Sequence, residues 1–184
     1  MTDQELIEQL AQKSEPAFKW LVESYQKVVF NTMLNIVQDE AEAEDGTQEV
    51  FIKIYESIAG FRQESALSTW IYRLTVNKAL DILRRRKTKE RLRQIVPWWM
   101  PEESKDGKAV FHHPGILTEN KEKAAVLFKA INSLPEKQKI AFTLIKVQGM
   151  KYDEVSKIMD QHIKAIESLI SRAKQNLQQK LKNI

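Results

Sequence analysis

The chain has no cysteine, only three histidines, five glycines and five prolines, and no long apolar run, and each shortage removes a class of function. Without cysteine there is no disulfide framework, no thiolate metal site and no thiol nucleophile. His112, His113 and His162 are too few and too scattered for a zinc cage. No glycine-rich phosphate loop is present, and no histidine stands in a constellation with paired carboxylates. No catalytic residue, metal ligand or cofactor is therefore expected, and the protein is not read as an enzyme. No apolar stretch approaches the ~18 residues of a spanning helix, and the opening MTDQELIEQL is acidic and amphipathic, unlike a signal peptide. The expectation is a cytoplasmic protein with no direct membrane insertion.

What is present is helical. With 42% hydrophobic and 29% charged residues, the 184-residue chain belongs with globular proteins. Two-residue alternation is not sustained anywhere, whereas three- and four-residue apolar spacing recurs throughout. The spacing predicts an all-α protein, with helices at about 3 to 13, 15 to 37, 40 to 59 and 68 to 90. The segment GFRQESALS is the loop before the last of these, with Ser68 placed to cap the helix that follows. Residues 94 to 119 carry three prolines, two glycines and the Trp98-Trp99 pair without helical period, which reads as a linker. Helical spacing then resumes over about 120 to 133, 136 to 148, 153 to 159 and 162 to 182. Two small helical domains follow, 1 to 93 and 120 to 184, joined by the linker.

Charge is unevenly placed along this frame. Asp39, Glu40, Glu42, Glu44, Asp45 and Glu49 lie in a stretch with no cation, whereas Arg84, Arg85, Arg86, Lys87, Lys89, Arg91 and Arg93 stand against a single acidic residue, Glu90. Such asymmetry points to two different partners, one of them polyanionic. The last two helices are separated by only a few residues, the geometry of a helix-turn-helix. In the longer one, Ile163, Ile166, Ile170, Ala173, Leu177 and Leu181 form the predicted core stripe. Opposite stand Lys164, Ser168, Ser171, Arg172, Gln175 and Gln179, side chains suited to phosphates and base edges.

The helix STWIYRLTVNKALDILRRRK divides differently. Tyr72, Val76, Ala79, Leu80 and Leu83 form a predicted core stripe, and Arg73, Asn77, Asp81 and Arg84 a polar row. Trp70, Ile71, Leu74 and Ile82 lie on neither, so the helix is apolar on two sides where an ordinary surface helix has one. Arg73, Asn77, Lys78 and the run Arg84 to Lys87 suit a phosphate backbone, and the loop before the helix, with Arg62, Ser65, Ser68 and Thr69, suits an unstacked base. A central helix of a small bundle would show the same apolar pattern.

The stretch EDGTQEVFIKIYESIAGFRQESALSTWIYRLTVNKALDILRRRK, followed by LPEKQKIAFTLIKVQGMKYDEVSKIM and LISRAKQNL, closely resembles bacterial RNA polymerase sigma factors of the extracytoplasmic-function group. The resemblance covers roughly 15 to 90 and 120 to 182. It implies an N-terminal domain that grips core RNA polymerase and melts the minus-ten promoter element, a C-terminal helix-turn-helix that reads the minus-thirty-five element as duplex, and an anti-sigma partner. It places Asp45, Gln48, Glu49, Phe51, Ile52 and Tyr55 at the polymerase clamp. It places the loop from Phe61 to Thr69, with Arg73 and Asn77, at the single-stranded non-template strand, and Ser168 and Arg172 in the major groove. Two departures stand out. Gly46-Thr47 replaces a Leu-Val pair, and glycine inside a helix costs roughly 1 kcal/mol against alanine, so a weakened or kinked helix is expected there. Glu167 and Leu169 replace two cations of the recognition helix, which removes phosphate contacts. Two rival readings are a dimeric helix-turn-helix regulator acting without polymerase, and an adaptor binding a protein through Trp98-Trp99. Nothing in the sequence demands a dimerisation surface, and a monomer is the expectation for the free chain.

Overall fold

The computed structural model describes residues 3–95 and 121–182; the linker and its Trp98-Trp99 pair lie outside the described residues. Among the described residues eight α-helices run in the order α1 (Asp3–Ala11), α2 (Glu15–Val37), α3 (Glu40–Ser57), α4 (Leu67–Ile95), α5 (Lys121–Asn132), α6 (Glu136–Phe142), α7 (Tyr152–Met159) and α8 (Ile163–Leu181). A 3-10 turn, Ile58–Gly60, extends α3, and a π-type turn, Thr143–Val147, extends α6. Among the described residues no strand is present, and no helix is long and apolar enough to cross a membrane.

Local chemistry sets the boundaries. Pro16 sits in the first turn of α2, where its missing N–H costs nothing. That helix ends on Gln38 in the left-handed region (φ 55°), whose N–H bonds Leu34 O at 2.8 Å. Asp39 then caps α3, its Oδ1 accepting from the Glu42 N–H at 2.9 Å. In α7 the Glu154 carboxylate reaches back to the Lys151 N–H at 2.8 Å. Asp160 at φ 50° closes α7 and leaves a three-residue turn into α8. The predicted cap at Ser68 is not formed: α4 starts at Leu67, the Trp70 N–H bonds Ala66 O at 3.2 Å, and Ser68 lies inside the first turn. At its other end α4 continues past the predicted residue 90 to Ile95.

The expected kink at Gly46 is absent. Helix α3 runs unbroken through Gly46-Thr47, and Thr47 Oγ1 donates back to Ala43 O at 2.7 Å. A Cβ at Gly46 would lie 3.0 Å from Ile82 Cδ1 and 3.1 Å from Met33 Cε. Glycine is there because α2 and α4 both close on this point of α3. That contact also explains why α4 is apolar on two sides. Ile71, Val76, Ala79 and Leu83 are buried in the core, Ile82 presses on α3, and Tyr72 and Leu80, expected in the stripe, are only half-buried.

The two helical units do not stand apart. Ile71, Val76 and Leu83 of α4 belong to the same buried cluster as Ile140, Leu144, Val155, Ile158, Ile166 and Ile170 of the C-terminal unit. A second, smaller cluster, Ala130, Ile131, Leu134, Ala173 and Leu177, ties α5 to α8. Ile166, Ile170, Ala173 and Leu177 follow the predicted stripe of α8, whereas its two ends, Ile163 and Leu181, are exposed.

Candidate nucleic-acid interface

Three outward surfaces carry the predicted site residues. On α3, Asp45, Gln48, Glu49, Ile52 and Tyr55 share one exposed face at helical spacing. Ile52 is 57% exposed, an apolar tip among these polar neighbours. Tyr55 is held in place edge-on to Phe18, with ring centroids 5.1 Å apart, and by Lys13 Nζ 5.4 Å above its ring. Phe51 is the exception: at 7% exposure it points into the core, because it falls on the inward side with Val50 and Ile54.

The second surface is the loop before α4 and the row along it. Phe61 and Trp70 stack at 4.9 Å and anchor the loop at both ends, with Gln63 left-handed at its turn (φ 55°). Arg62 is exposed, while Ser65, Ser68 and Thr69 are partly covered. Asn77 is exposed on the ridge between two grooves. One groove, of about 450 Å³, runs between α3 and α4 past Glu49, Ile52, Leu74 and Asp81. The other, of about 320 Å³, lies between α4 and the C-terminal unit.

The cations of this surface are less available than their sequence suggests. Lys78 is ion-paired with Glu49, its side chain only 14% exposed, so a residue expected on DNA and one expected on polymerase occupy each other. Arg84 pairs with Asp81 at 3.2 Å on the surface, and Arg84 and Arg85 flank an open groove with Thr88 and Leu92. Arg86 and Lys87, expected on the backbone with them, turn away. Arg86 donates to Val37 O at 3.0 Å and pairs with Glu42. Lys87 pairs with Glu136 of α6 at 2.5 Å. The run of four cations is thus split by helix geometry, since consecutive residues point 100° apart. Arg73 Nη2 donates to Lys157 O in the last turn of α7 at 2.7 Å.

The third surface is α8. Lys164, Ser171, Arg172 and Gln175 are exposed along one face, and Ser168 is half-buried within it. Arg172 is fixed there by donating to Ser168 Oγ at 2.7 and 3.2 Å. Glu167 is exposed on the flank of this face rather than at its centre. The helix-turn-helix is braced from below, where Asn176 Nδ2 donates to Gln138 Oε1 at 2.8 Å.

A set of residues that the sequence reading did not single out joins the two units at the end of α2. Gln38 Nε2 donates to Phe128 O at 3.0 Å, and Gln148 Nε2 to the fully buried Thr32 Oγ1 at 2.9 Å. Lys139, only 4% exposed, donates to Asn132 Oδ1 at 2.7 Å and to Ile36 O at 3.4 Å. Burial, with Arg86 and Lys87 nearby, lowers its pKa from 10.5 to about 8. Burial and the Glu154 carboxylate likewise hold the Tyr72 phenol above its usual range, marking where α4 meets α7. The partners are 90, 116 and 103 positions apart, so no local pattern announces them.

The two helical units have counterparts in known proteins. Sigma-70 region 2 matches residues 21–89, and Sigma-70 region 4 matches residues 125–177. The chain is 32% identical to the ECF RNA polymerase sigma-E factor of Haemophilus influenzae, over 98% of this chain and 96% of that protein. It is 33% identical to the sigma-E factor of Escherichia coli K12, over 98% and 95%. In fold it is similar to CnrH, solved with the cytosolic domain of CnrY (TM-score 0.70, 18% identity, 98% of this chain and 97% of that one). It is similar also to the sigma factor RpoE of Bartonella quintana, solved with the anti-sigma factor NepR (TM-score 0.67, 23% identity, 90% and 96%). With two sigma-70 regions in order and relatives of this identity along almost its whole length, the chain belongs to the extracytoplasmic-function sigma factors of RNA polymerase.

Proposed function

We propose that this sigma factor divides promoter-directed initiation among its three outward surfaces. Core RNA polymerase docks on the α3 face of Asp45, Gln48, Ile52 and Tyr55, a polar surface with an apolar tip. The loop from Phe61 to Thr69 and the row Arg73, Asn77, Arg84 and Arg85 take the minus-ten element as single strand. The α8 face of Lys164, Ser168, Ser171, Arg172 and Gln175 reads the minus-thirty-five duplex. The observation that carries this reading is the chemistry of the α8 face. A helix that follows a three-residue turn presents cations, hydroxyls and amides at its centre, with its one nearby carboxylate, Glu167, on the flank.

Residues tied up inside the protein take supporting roles. Lys78 and Glu49 brace α4 against α3, and Phe51 packs beneath the docking face. An anti-sigma protein is proposed as a partner, as in the RpoE–NepR complex of the structural neighbour. Supplied with bacterial core polymerase and genomic fragments, the protein is expected to direct initiation from a small set of promoters. Ser68→Ala with Thr69→Ala, or Asn77→Ala, lowers promoter opening at least tenfold while core binding stays within twofold. Footprinting of duplex DNA with no association to core would overturn the reading in favour of a polymerase-independent regulator.

A further inference from the structure

We infer that Gln63 selects the base taken up by the loop before α4, its side-chain amide and the Glu64 carboxylate together holding the Watson–Crick edge of an amino-bearing base, adenine or cytosine. The inference rests on the assignment of that loop to the minus-ten strand.

The backbone sets this residue apart. Among the described residues other than glycine, Lys13, Gln38, Gln63 and Asp160 lie in the left-handed region. That region crowds a Cβ, so a side chain there needs a contact that offsets the strain. For three of the four the contact is a helix end. The Lys13 N–H bonds Leu10 O at 2.9 Å just past α1, the Gln38 N–H bonds Leu34 O at 2.8 Å, and the Asp160 N–H bonds Ser156 O. Gln63 ends no helix. It lies between the turn Ile58–Gly60 and Leu67, and neither its backbone nor its side chain makes a hydrogen bond among the described residues. Strain that no internal contact offsets marks a functional position. Glycine would fit the turn freely but would bring no side chain to a base.

The frame around Gln63 is fixed while its side chains are free. Phe61 stacks on Trp70 with ring centroids 4.9 Å apart, and Leu67 is buried at 1% exposure, so both ends of the loop are held. Between them Arg62, Gln63 and Glu64 are exposed, with no ion pair or hydrogen bond among the described residues. A glutamine amide carries a donor and an acceptor side by side, so by turning over it matches the edge of any base. A carboxylate only accepts. It favours the exocyclic amino group of adenine or cytosine and opposes the exocyclic oxygen of guanine or thymine. Side by side, the two groups therefore discriminate where the amide alone would not. Glu64 accepts from the amino group, and Gln63 Nε2 donates to the ring nitrogen beside it, N1 of adenine or N3 of cytosine. Arg62 supplies the positive charge that a strand bearing phosphates requires next to a carboxylate.

The test uses one promoter on which the protein initiates, with its minus-ten positions randomised. The library is transcribed by the full chain with core RNA polymerase, and the transcripts are sequenced. Base preferences are ratios within one reaction, so they do not depend on a variant's overall activity. Wild type is expected to favour adenine or cytosine over guanine or thymine at least fivefold at one position of the element. Gln63→Gly, which removes the amide, and Glu64→Gln, which leaves two groups able to turn over, are each expected to bring that ratio below twofold. Ratios at the other positions are expected to stay within twofold of wild type. The urea midpoint of Gln63→Gly is expected not to fall, because glycine adopts φ 55° without strain, so a lost preference does not reflect unfolding. An unchanged profile in Gln63→Gly, an equal flattening at every minus-ten position, or a wild-type preference for guanine or thymine throughout would overturn the inference. Failure of the underlying assignment looks different: wild-type protein with core then directs no promoter-specific initiation, or Asn77→Ala and the Ser68→Ala, Thr69→Ala pair open promoters as well as wild type does.

Discussion

The two surfaces assigned to DNA differ in how the rest of the molecule treats them. The α8 face lies open, its cations and hydroxyls tied at most to each other, as Arg172 is to Ser168. The α4 row is engaged at almost every step: Arg73 by α7, Lys78 by α3, Arg84 by Asp81, and its neighbours Arg86 and Lys87 by Glu42 and Glu136. One surface lies open to solvent and the other is held by its own neighbours. The difference follows from position. Helix α8 has one side against α6 and α7 and the other to solvent, whereas α4 is central and is packed by α2, α3 and α7.

The most disruptive test of this contrast targets the central packing of α4. Gly46→Leu drives a side chain into Ile82 and Met33 and is expected to cost roughly 2–3 kcal/mol of stability, read by urea denaturation. Gly46→Ala is expected to stay near neutral, because the gain in helix propensity of about 1 kcal/mol offsets a small displacement of two flexible side-chain ends. Leu169→Ala on half-exposed α8 is expected to cost less than Gly46→Leu, which is the sense in which the two helices differ.

Next in size is a pH dependence belonging to the contact between the two helical units. Lys139 faces Arg86, Lys87 and Glu136, and its pKa is lowered from 10.5 to about 8 in the folded protein. Between those values the unfolded chain binds more protons, so stability rises with pH. The cost of burying the charge is fully present below pH 8 and is relieved as pH rises towards 10.5. From pH 7 to 9.5 the wild type should gain on the order of 1–2 kcal/mol relative to Lys139→Met, measured by denaturation at each pH. A parallel pH profile in the two proteins would show that the lysine is not held at that contact.

The open face gives a smaller effect with a distinctive signature. Lys164→Ala with Arg172→Ala is expected to weaken duplex promoter binding by the holoenzyme about tenfold, roughly 1.4 kcal/mol. If both side chains meet phosphates, the salt slope falls by about 1.8. Smallest of all, Arg84→Ala should change stability by less than about 0.5 kcal/mol, since its pair with Asp81 is exposed on both sides. Any loss of promoter opening in that variant then reports on DNA rather than on folding.

Much of this was legible beforehand. The apolar period placed all eight helices, and the α8 wheel separated Ile166, Ile170, Ala173 and Leu177 from Lys164, Ser171 and Arg172 because only one side of that helix is covered. The same procedure misled on α4, where Ile71 joined the core and Tyr72 stayed at its edge, because a helix packed on several sides has no single apolar stripe. Phe51 lies inward, at 7% exposure, beside the exposed Ile52, because consecutive helix positions point 100° apart. Lys78, Arg86 and Lys87 looked like free cations because their carboxylate partners, Glu49, Glu42 and Glu136, lie 29, 44 and 49 positions away along the chain.

The sequence by itself determined the helical class, the helix order, the helix-turn-helix and the family, since these rest on local periodicity and on residue order. The tertiary structure alone decided which polar groups remain free to act. A side chain's type and its place on a helix follow from neighbours three and four residues away, but its availability depends on what the fold brings against it, and here that is the second unit closing over the first.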